Sequence, residues 1–330
     1  MKIRLGVIGC GMAYEKLHLP VLRKLSDMYE IVAISDIDEI RLSIMGRKSD
    51  VRKRNLYLNY KEMLNREDID TILVAVPIPK TYEVVKDVIL ANKNIMVEKP
   101  LATEAISGLE LIELASKLKL LVLENYRFNE ETTILKNIID EEKIGKITYF
   151  EELNMTDFSR DMLKDTFASK EWRQHPKYKG GAFLDSSIHH ISRLRFLFGN
   201  VKKVTGMAIN SKEECNDFST MINNFAFEND VIGTYTYSID NEELIKPFIG
   251  LRIFGTKGEA LLEGKNSNYI SICYKDGKKE KIRFKPNQGY LKEFEHFYEM
   301  YASNKRNRYP NEEVLLDLKL ITEIIRKYKK

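Results

Sequence analysis

The sequence predicts an α/β protein that combines a doubly wound parallel sheet with a second, α+β domain built on a large, mostly antiparallel sheet. Over the first 125 residues, short apolar runs alternate with helical patterns. After about residue 145, strand-like segments follow one another with turn signals between them. Strands alternating with helices indicate parallel βαβ units, and consecutive strands joined by tight turns indicate antiparallel pairing. We therefore place the two domains at residues 1–125 and 126–330.

Near-continuous Val, Ile and Leu runs in the first domain indicate strands that are buried on both faces. Apolar spacing of three and four residues between these runs indicates helices. The predicted strands are 3–8, 30–35, 71–76, 94–97 and 120–124, and the predicted helices are 15–25, 37–49, 82–91 and 103–118.

The second domain contains turn pairs typical of hairpins, such as Lys257-Gly258 and Asp276-Gly277. Its predicted strands are 147–153, 201–209, 220–227, 231–239, 249–254, 259–262, 269–274 and 280–284, with helices at 185–198, 290–303 and 311–328. An antiparallel sheet often leaves one face uncovered. We expect Phe225, Phe227, Tyr235 and Tyr237 to cover a partner subunit, in a homodimer or homotetramer.

Composition narrows the class of protein. Apolar residues make up 43% and charged residues 31% of the chain, which excludes a disordered protein. The net charge of +4 is too small for the strongly basic face of a nucleic-acid-binding protein. No apolar stretch approaches the roughly 20 residues of a membrane-spanning helix. Cys10, Cys215 and Cys273 are too few and too scattered for a disulfide framework or a zinc site, so we expect a cytoplasmic protein.

Gly9-Cys10-Gly11 lies between the first predicted strand and the first predicted helix. In a Rossmann fold the first glycine makes the tight turn, and the second lets the backbone approach a pyrophosphate at the helix N-terminus. Met12 and Ala13 continue this turn, and Tyr14 stands at the third motif position, where a small residue is usual. The pattern predicts a dinucleotide site in the first domain.

Asp36 ends the second predicted strand at the spacing expected for a ribose-binding carboxylate. Such a carboxylate accepts hydrogen bonds from the 2′-hydroxyl and repels a 2′-phosphate, so we expect NAD, with NADP possible. Arg41 and Arg47 lie close in sequence and would soften this preference. The alternative is that Asp36 is an ordinary solvated turn residue.

Two further segments suggest catalysis. Lys99, in Glu98-Lys99-Pro100, follows a predicted parallel strand, and ligands bind beyond the carboxyl ends of such strands. Asp185 and His189 are four residues apart and share one helix face, where the carboxylate would raise the basicity of the imidazole. The alternatives are a surface lysine and a purely structural Asp–His pair. We expect no metal site, because no other His or Cys cluster supplies further ligands.

Together these motifs resemble the Gfo/Idh/MocA family of glucose–fructose oxidoreductases and inositol dehydrogenases. Residues 15–20, Val76-Pro77, residues 125–128 and Trp172-Arg173 extend the resemblance along the chain. The resemblance implies that Lys99, Asp185 and His189 are catalytic and also contact substrate. It adds Val76, Pro77, Glu98, Lys99 and Asn125 to Gly9, Gly11, Met12, Ala13 and Asp36 as cofactor-binding residues, and Arg127, Arg173 and Tyr237 as substrate-binding residues.

The function expected from these observations is hydride transfer between a nicotinamide cofactor and a sugar, cyclitol or related polyol or keto-sugar. Lys99 and His189 are expected to take part in proton transfer. Two alternatives stay open. One is an oxidoreductase that keeps and recycles a tightly bound cofactor, and the other is a non-catalytic regulator that senses a dinucleotide.

Overall fold

The computed structural model describes residues 2–210, 217–241, 248–264 and 267–328, so Cys215 lies outside the described residues. The chain forms two compact units. Unit 1 contains residues 1–124 and 290–319, and unit 2 contains residues 125–289 and 320–330. The predicted boundaries at 1–125 and 126–330 differ from this division at the C-terminal end, where residues 290–319 belong to unit 1.

Unit 1 contains a six-stranded parallel sheet in the order β3-β2-β1-β4-β5-β6. Its strands are β1 (Ile3–Ile8), β2 (Tyr29–Ser35), β3 (Leu56–Tyr57), β4 (Thr71–Val74), β5 (Asn94–Glu98) and β6 (Leu120–Leu123). Nearly every residue of β1, β4 and β6 is buried, because helices cover both faces of the sheet. The strand order reverses between β1 and β4, which creates the crevice where α/β proteins bind ligands.

The helices of unit 1 are a π-helical segment (Tyr14–His18), α1 (Leu19–Lys24), α2 (Glu39–Lys48), α3 (Tyr60–Leu64), α4 (Ile78–Leu90) and α5 (Ala105–Leu114), with a 3-10 turn at Lys53–Asn55. The predicted helix 82–91 begins four residues earlier than expected. Pro79 lies in its first turn, where a missing N–H breaks no intrahelical bond. The sequence did not predict β3 or α3. They contain two and five residues, which are too few to show a hydrophobic periodicity.

Two C-terminal helices complete unit 1. They are α11 (Gly289–Ser303), of which residues 290–303 belong to this unit, and the first part of α12 (Asn311–Tyr328). The Tyr29 hydroxyl on β2 donates to the carbonyl of Phe294 at 2.6 Å. Gly108 of α5 leaves room for Leu318, since a Cβ there would lie 2.6 Å from its side chain. These contacts explain why α11 and the first part of α12, predicted as part of the second domain, belong to the first unit.

The described residues of unit 2 form an eight-stranded sheet in the order β14-β13-β12-β11-β7-β10-β9-β8, and among these strands only β7 and β10 pair in parallel. Its strands are β7 (Ile147–Met155), β8 (Val201–Ile209), β9 (Thr220–Phe227), β10 (Ile232–Ser238), β11 (Phe248–Gly255), β12 (Gly258–Leu262), β13 (Tyr269–Tyr274) and β14 (Lys279–Arg283). Its helices before β8 are α6 (Asn125–Phe128), α7 (Glu130–Asp140), α8 (Phe158–Met162), α9 (Glu171–Gln174) and α10 (Gly181–Phe198), with a 3-10 turn at Phe167–Ser169. The α+β prediction is confirmed, although α6 to α9 were missed.

One side of the unit 2 sheet is covered by α10. The rings of Phe227 and Phe198 lie 5.6 Å apart, and the hydroxyls of Tyr235 and Ser187 are 2.7 Å apart. Phe225, Phe227, Tyr235 and Tyr237 are all buried on this side, so the prediction that they cover a partner subunit is wrong. Strand periodicity separates two faces but does not say which face a helix of the same chain will cover.

Candidate active site

Gly9 forms a turn that only glycine fits. It follows β1 directly and has a φ of +91°, a conformation that residues with a Cβ rarely adopt. A Cβ here would lie 2.4 Å from the carbonyl oxygen of Ala75. The Gly9 N–H donates to the carbonyl of Ser35 at 2.9 Å, which fixes the turn against the end of β2. The backbone itself therefore requires the first glycine.

The surroundings of Gly11 are different. A Cβ at Gly11 would meet no protein atom within 4 Å, so packing does not explain this glycine. Open space above a helix N-terminus allows an anionic group to approach the backbone N–H groups. Met12 and Ala13 follow, half-buried, at the start of the helical segment. Tyr14 is fully buried, and its hydroxyl lies 2.7 Å from Ser49 Oγ, so the bulky third residue packs toward the end of α2.

The two glycines give a matched test. Gly9→Ala is expected to destabilise the protein by about 2–4 kcal/mol, because the new Cβ strains the backbone and collides with Ala75. Gly11→Ala is expected to change stability by less than about 1 kcal/mol and yet weaken NADH binding at least about tenfold. Urea denaturation and NADH titration measure the two effects. Equal loss of stability in both variants would contradict this explanation.

Asp36 lies just after β2, beside the glycine turn. One carboxylate oxygen accepts a hydrogen bond from the N–H of Cys10 at 2.7 Å, and the other accepts from the N–H of Asp38 at 3.0 Å. These two bonds hold the carboxylate in one orientation. Arg41, which the sequence suggests would soften the preference for NAD, donates from Nε to the carbonyl of Cys10 at 2.7 Å. Arg47 is exposed on α2.

The carboxyl ends of β4 and β5 supply the next group of predicted residues. Val76 and Pro77 follow β4, and Pro77 is the residue before α4. Glu98 ends β5 and accepts a hydrogen bond from His18 Nε2 at 2.7 Å. Lys99 comes next, half-buried, and its peptide bond to Pro100 is cis.

Helix α10 carries the predicted acid–base residues of unit 2. Leu184, Ile188, Ile191 and Leu194 form its buried stripe, as the spacing predicts. Asp185 accepts a hydrogen bond from Arg173 Nε at 2.6 Å, so the structure brings together two predicted site residues. The Arg173 guanidinium lies 4.1 Å above the Trp172 ring, a cation–π contact that helps to fix its position.

His189 is half-buried and stacks on Tyr126 of α6, with the ring centres 4.7 Å apart and the planes 19° from parallel. Arg193 lies 4.9 Å from the centre of the same tyrosine ring, and His190 meets its edge at 5.4 Å. Tyr126 is thus held by three residues of α10. The sequence shows Tyr126 only as part of the motif at residues 125–128, because no spacing rule reveals a stack between residues 63 positions apart.

Behind Tyr126 lies a fully buried group of charges. Glu152 of β7 forms an ion pair with Arg193 and a hydrogen bond with His190. Burial opposes ionisation of Glu152, but the Arg193 and His190 charges outweigh it and lower the pKa of this carboxyl. Burial lowers the pKa of His190. His190 is buried, and it contacts Glu152 and the edge of Tyr126.

The remaining predicted residues of unit 2 are buried. Asn125 begins α6, and Arg127 donates from Nε to Ser192 Oγ at 2.7 Å. Tyr237 packs edge-on against Phe183, and its hydroxyl is buried without a hydrogen-bond partner among the described residues. Burial, followed by the Tyr235 and Asp185 charges, raises the pKa of Tyr237. Substrate contacts by Arg127, Arg173 and Tyr237 stay predictions.

The residues of unit 1 fit a dinucleotide. The glycine turn lies at the switch point of the parallel sheet, Gly11 leaves space for a pyrophosphate, and Asp36 is oriented beside them. Across the described ranges, no group of three acidic, histidine or cysteine side chains is arranged to bind a metal. Nor does any helix within those ranges have the length and apolar character to cross a membrane.

The fold and this site define an oxidoreductase with an NAD-binding Rossmann domain. Residues 3–126 match the family described as "Oxidoreductase family, NAD-binding Rossmann fold", and residues 133–261 match the "GFO/IDH/MocA C-terminal domain". The chain belongs to the Gfo/Idh/MocA oxidoreductase family, which confirms the resemblance seen in its motifs.

Individual relatives are distant in sequence but similar in fold. A myo-inositol 2-dehydrogenase of Thermotoga maritima is 26% identical over 286 residues, which cover 83% of this chain and 79% of the relative. The crystal structure of an oxidoreductase from the same organism has a TM-score of 0.89 and 25% identity, covering 100% of this chain and 97% of that one. A levoglucosan dehydrogenase in complex with NADH has a TM-score of 0.86 and 17% identity, covering 99% and 96% of the two chains.

Proposed function

We propose that this oxidoreductase moves a hydride between a nicotinamide cofactor and a carbinol carbon of a sugar, cyclitol or related polyol, or of the corresponding keto-sugar. The observation that carries the proposal is His189, a half-buried imidazole stacked on Tyr126, four residues from the Asp185–Arg173 ion pair. A proton acceptor next to an oriented carboxylate suits the oxidation of an alcohol. The names of the myo-inositol and levoglucosan enzymes agree with a polyhydroxylated substrate.

Each residue has a proposed role. His189 accepts the proton of the reacting hydroxyl, Lys99 binds and polarises the same oxygen, and Asp185 orients the substrate or the imidazole. Arg173, Arg127 and Tyr237 are the proposed substrate contacts. The nicotinamide ring, when bound, accepts or donates the hydride. The proposed residues that hold the cofactor are Gly9, Gly11, Met12, Ala13, Asp36, Val76, Pro77, Glu98, Lys99 and Asn125.

The test follows nicotinamide absorbance with purified protein, NAD or NADP, and a panel of sugars, cyclitols, sugar acids and keto-sugars. The proposal expects turnover with at least one member of the panel and faster turnover with NAD than with NADP. Absence of turnover together with tight NADH binding would favour a dinucleotide-sensing regulator. Cofactor that stays bound through purification and alternates between two substrates would instead favour a closed cofactor cycle.

We also propose that the chain forms a homodimer or homotetramer through the face of the unit 2 sheet opposite α10. Met207, Ile222 and Thr236 lie side by side on this face. Met207, Ile209 and Ile232 are 71%, 66% and 53% exposed. Apolar side chains grouped on an exposed sheet favour burial against a second copy.

Sedimentation velocity tests the assembly. The wild-type protein is expected to sediment as a multiple of the 38.5 kDa chain, and Met207→Glu combined with Ile209→Glu is expected to release monomers. Ile106→Glu, at a residue that is 73% exposed on α5 of unit 1, is the control and should leave the assembly intact. A wild-type particle of only 38.5 kDa would refute the proposed oligomer.

A further inference from the structure

Glu15, Arg41 and Lys48 form a cluster of charges that the proposed function does not use; we call it the Glu15 cluster. Arg41 Nη2 binds one oxygen of Glu15 at 2.7 Å, and Lys48 Nζ binds the other at 2.5 Å. Arg41 and Lys48 are seven residues apart on α2, so both side chains reach from one face of that helix. Glu15 stands on the π-helical segment that follows the glycine turn.

Arg41 of the Glu15 cluster lies beside the expected ribose position. The backbone N–H of Cys10 donates to Asp36, and the backbone carbonyl of Cys10 accepts from Arg41 Nε at 2.7 Å. Asp36 and Arg41 therefore bind the N–H and the carbonyl of the same residue of the glycine turn. A phosphate on the 2′-oxygen of a ribose bound by Asp36 would lie next to this arginine.

Arg41 and Lys48 are the type of residue that binds a 2′-phosphate, because arginine and lysine pair with its charge. In this protein both cations are already paired with Glu15. The two hydrogen bonds from Lys48 and Arg41 lower the pKa of the Glu15 carboxyl, so it stays ionised. Arg41 is held more firmly than Lys48, since Arg41 is 28% exposed and has a second bond to Cys10, whereas Lys48 is 50% exposed.

We propose that Glu15 is a selectivity residue for the cofactor: it occupies Arg41 and Lys48 and adds a second negative charge beside Asp36, so that NADPH is rejected. The inference rests on the proposed nicotinamide-dependent function. It explains how a chain with Arg41 next to the Asp36 turn would keep the expected preference for NAD. Asp36 repels the 2′-phosphate directly. Glu15 pairs with Arg41 and Lys48, so these cations are not available to neutralise the phosphate.

Equilibrium titrations with NADH and NADPH, without substrate, test the inference. Glu15→Gln is expected to strengthen NADPH binding about tenfold and to change the NADH dissociation constant less than about twofold. Asp36→Ser combined with Glu15→Gln is expected to bind NADPH more tightly than either single variant. Adding Arg41→Gln to Glu15→Gln should remove the gain, and higher salt should weaken the gain because it depends on exposed charges.

Glu30→Gln is the matched control. Glu30 pairs with Arg4 at 3.6 Å near the opposite end of β2 from Asp36, so its loss changes the net charge equally but not the site. An NADPH affinity unchanged by Glu15→Gln while NADH still binds would overturn this inference and leave the proposed function standing. A lower melting temperature with equal loss of both nucleotides would make Glu15 structural and would also overturn it. Failure of the wild-type protein to bind NADH would refute the proposed function itself.

Discussion

Replacing His189 with alanine is expected to lower kcat by about 10²- to 10⁴-fold while NADH binding is retained, because a general base contributes a factor of this size. Lys99→Ala is expected to cause a loss of the same order, since its ammonium group would no longer bind or polarise the reacting oxygen. The measurement is steady-state turnover with the substrate found in the panel, paired with an NADH titration of each variant.

His175→Ala is the control for His189→Ala, because His175 is an exposed histidine of the same unit. Its turnover should equal that of the wild-type protein. Near wild-type kcat in His189→Ala would refute the proposed proton acceptor, and near wild-type kcat in Lys99→Ala would refute the role of the lysine. A rise in KM with kcat unchanged would mean that the lost side chain only binds substrate.

The surroundings of His189 explain why this substitution is informative. The imidazole stacks on Tyr126, and Tyr126 is held by Arg193 and His190, which in turn bind the buried Glu152. Removing the His189 ring leaves this buried charge group intact. The variant should therefore fold, and a loss of turnover would reflect the chemistry rather than the stability of unit 2.

The sequence predicts the parallel sheet of unit 1 well, because strands buried on both faces leave nearly continuous apolar runs. The sequence also predicts the glycine turn. Gly9 has a φ of +91° and lies close to the Ala75 carbonyl, and both local features exclude a residue with a Cβ. Short-range constraints of this kind appear in a single segment of sequence. The buried stripe of α10 is predicted for the same reason, by spacing within one helix.

The sequence could not reveal features that depend on pairing between distant segments. Tyr126 meets His189, and Glu15 meets Arg41, only after the chain has folded. The face of the unit 2 sheet that contains Tyr235 was misassigned because α10 covers it, and no period within β10 indicates that. The position of α11 in unit 1 depends likewise on contacts such as that of Tyr29 with Phe294.

Glu293 on α11 gives the second large expected effect, which concerns stability. Its side chain is fully buried, and neither carboxylate oxygen has a hydrogen-bond partner among the described residues. Burial, and then the Glu98 and Glu124 carboxylates of the same unit, raise the pKa of Glu293 well above its usual value. At a pH between the unfolded and the folded pKa, the folded protein therefore holds this carboxyl protonated, while the unfolded chain releases the proton.

The sign of the pH dependence follows from this difference. A raised pKa in the folded state contributes stability that is fully present below the unfolded pKa, about 4.3, and is lost as pH rises toward the folded pKa. In this window the free energy of unfolding of the wild-type protein should fall, relative to that of Glu293→Gln, by about 1.4 kcal/mol per pH unit. The glutamine keeps the shape of the side chain and has no proton to lose.

Urea denaturation of the cofactor-free protein at several pH values between 4.5 and 7.5, a window of about three units above the unfolded pKa, measures this slope. Glu295→Gln is the control, because Glu295 is a half-buried glutamate on the same helix. It should show no such slope against the wild-type protein. A difference between wild type and Glu293→Gln that stays constant with pH would mean that Glu293 is ionised in the folded state. Burial next to Glu98 and Glu124 would then be offset by a donor that reaches its carboxylate.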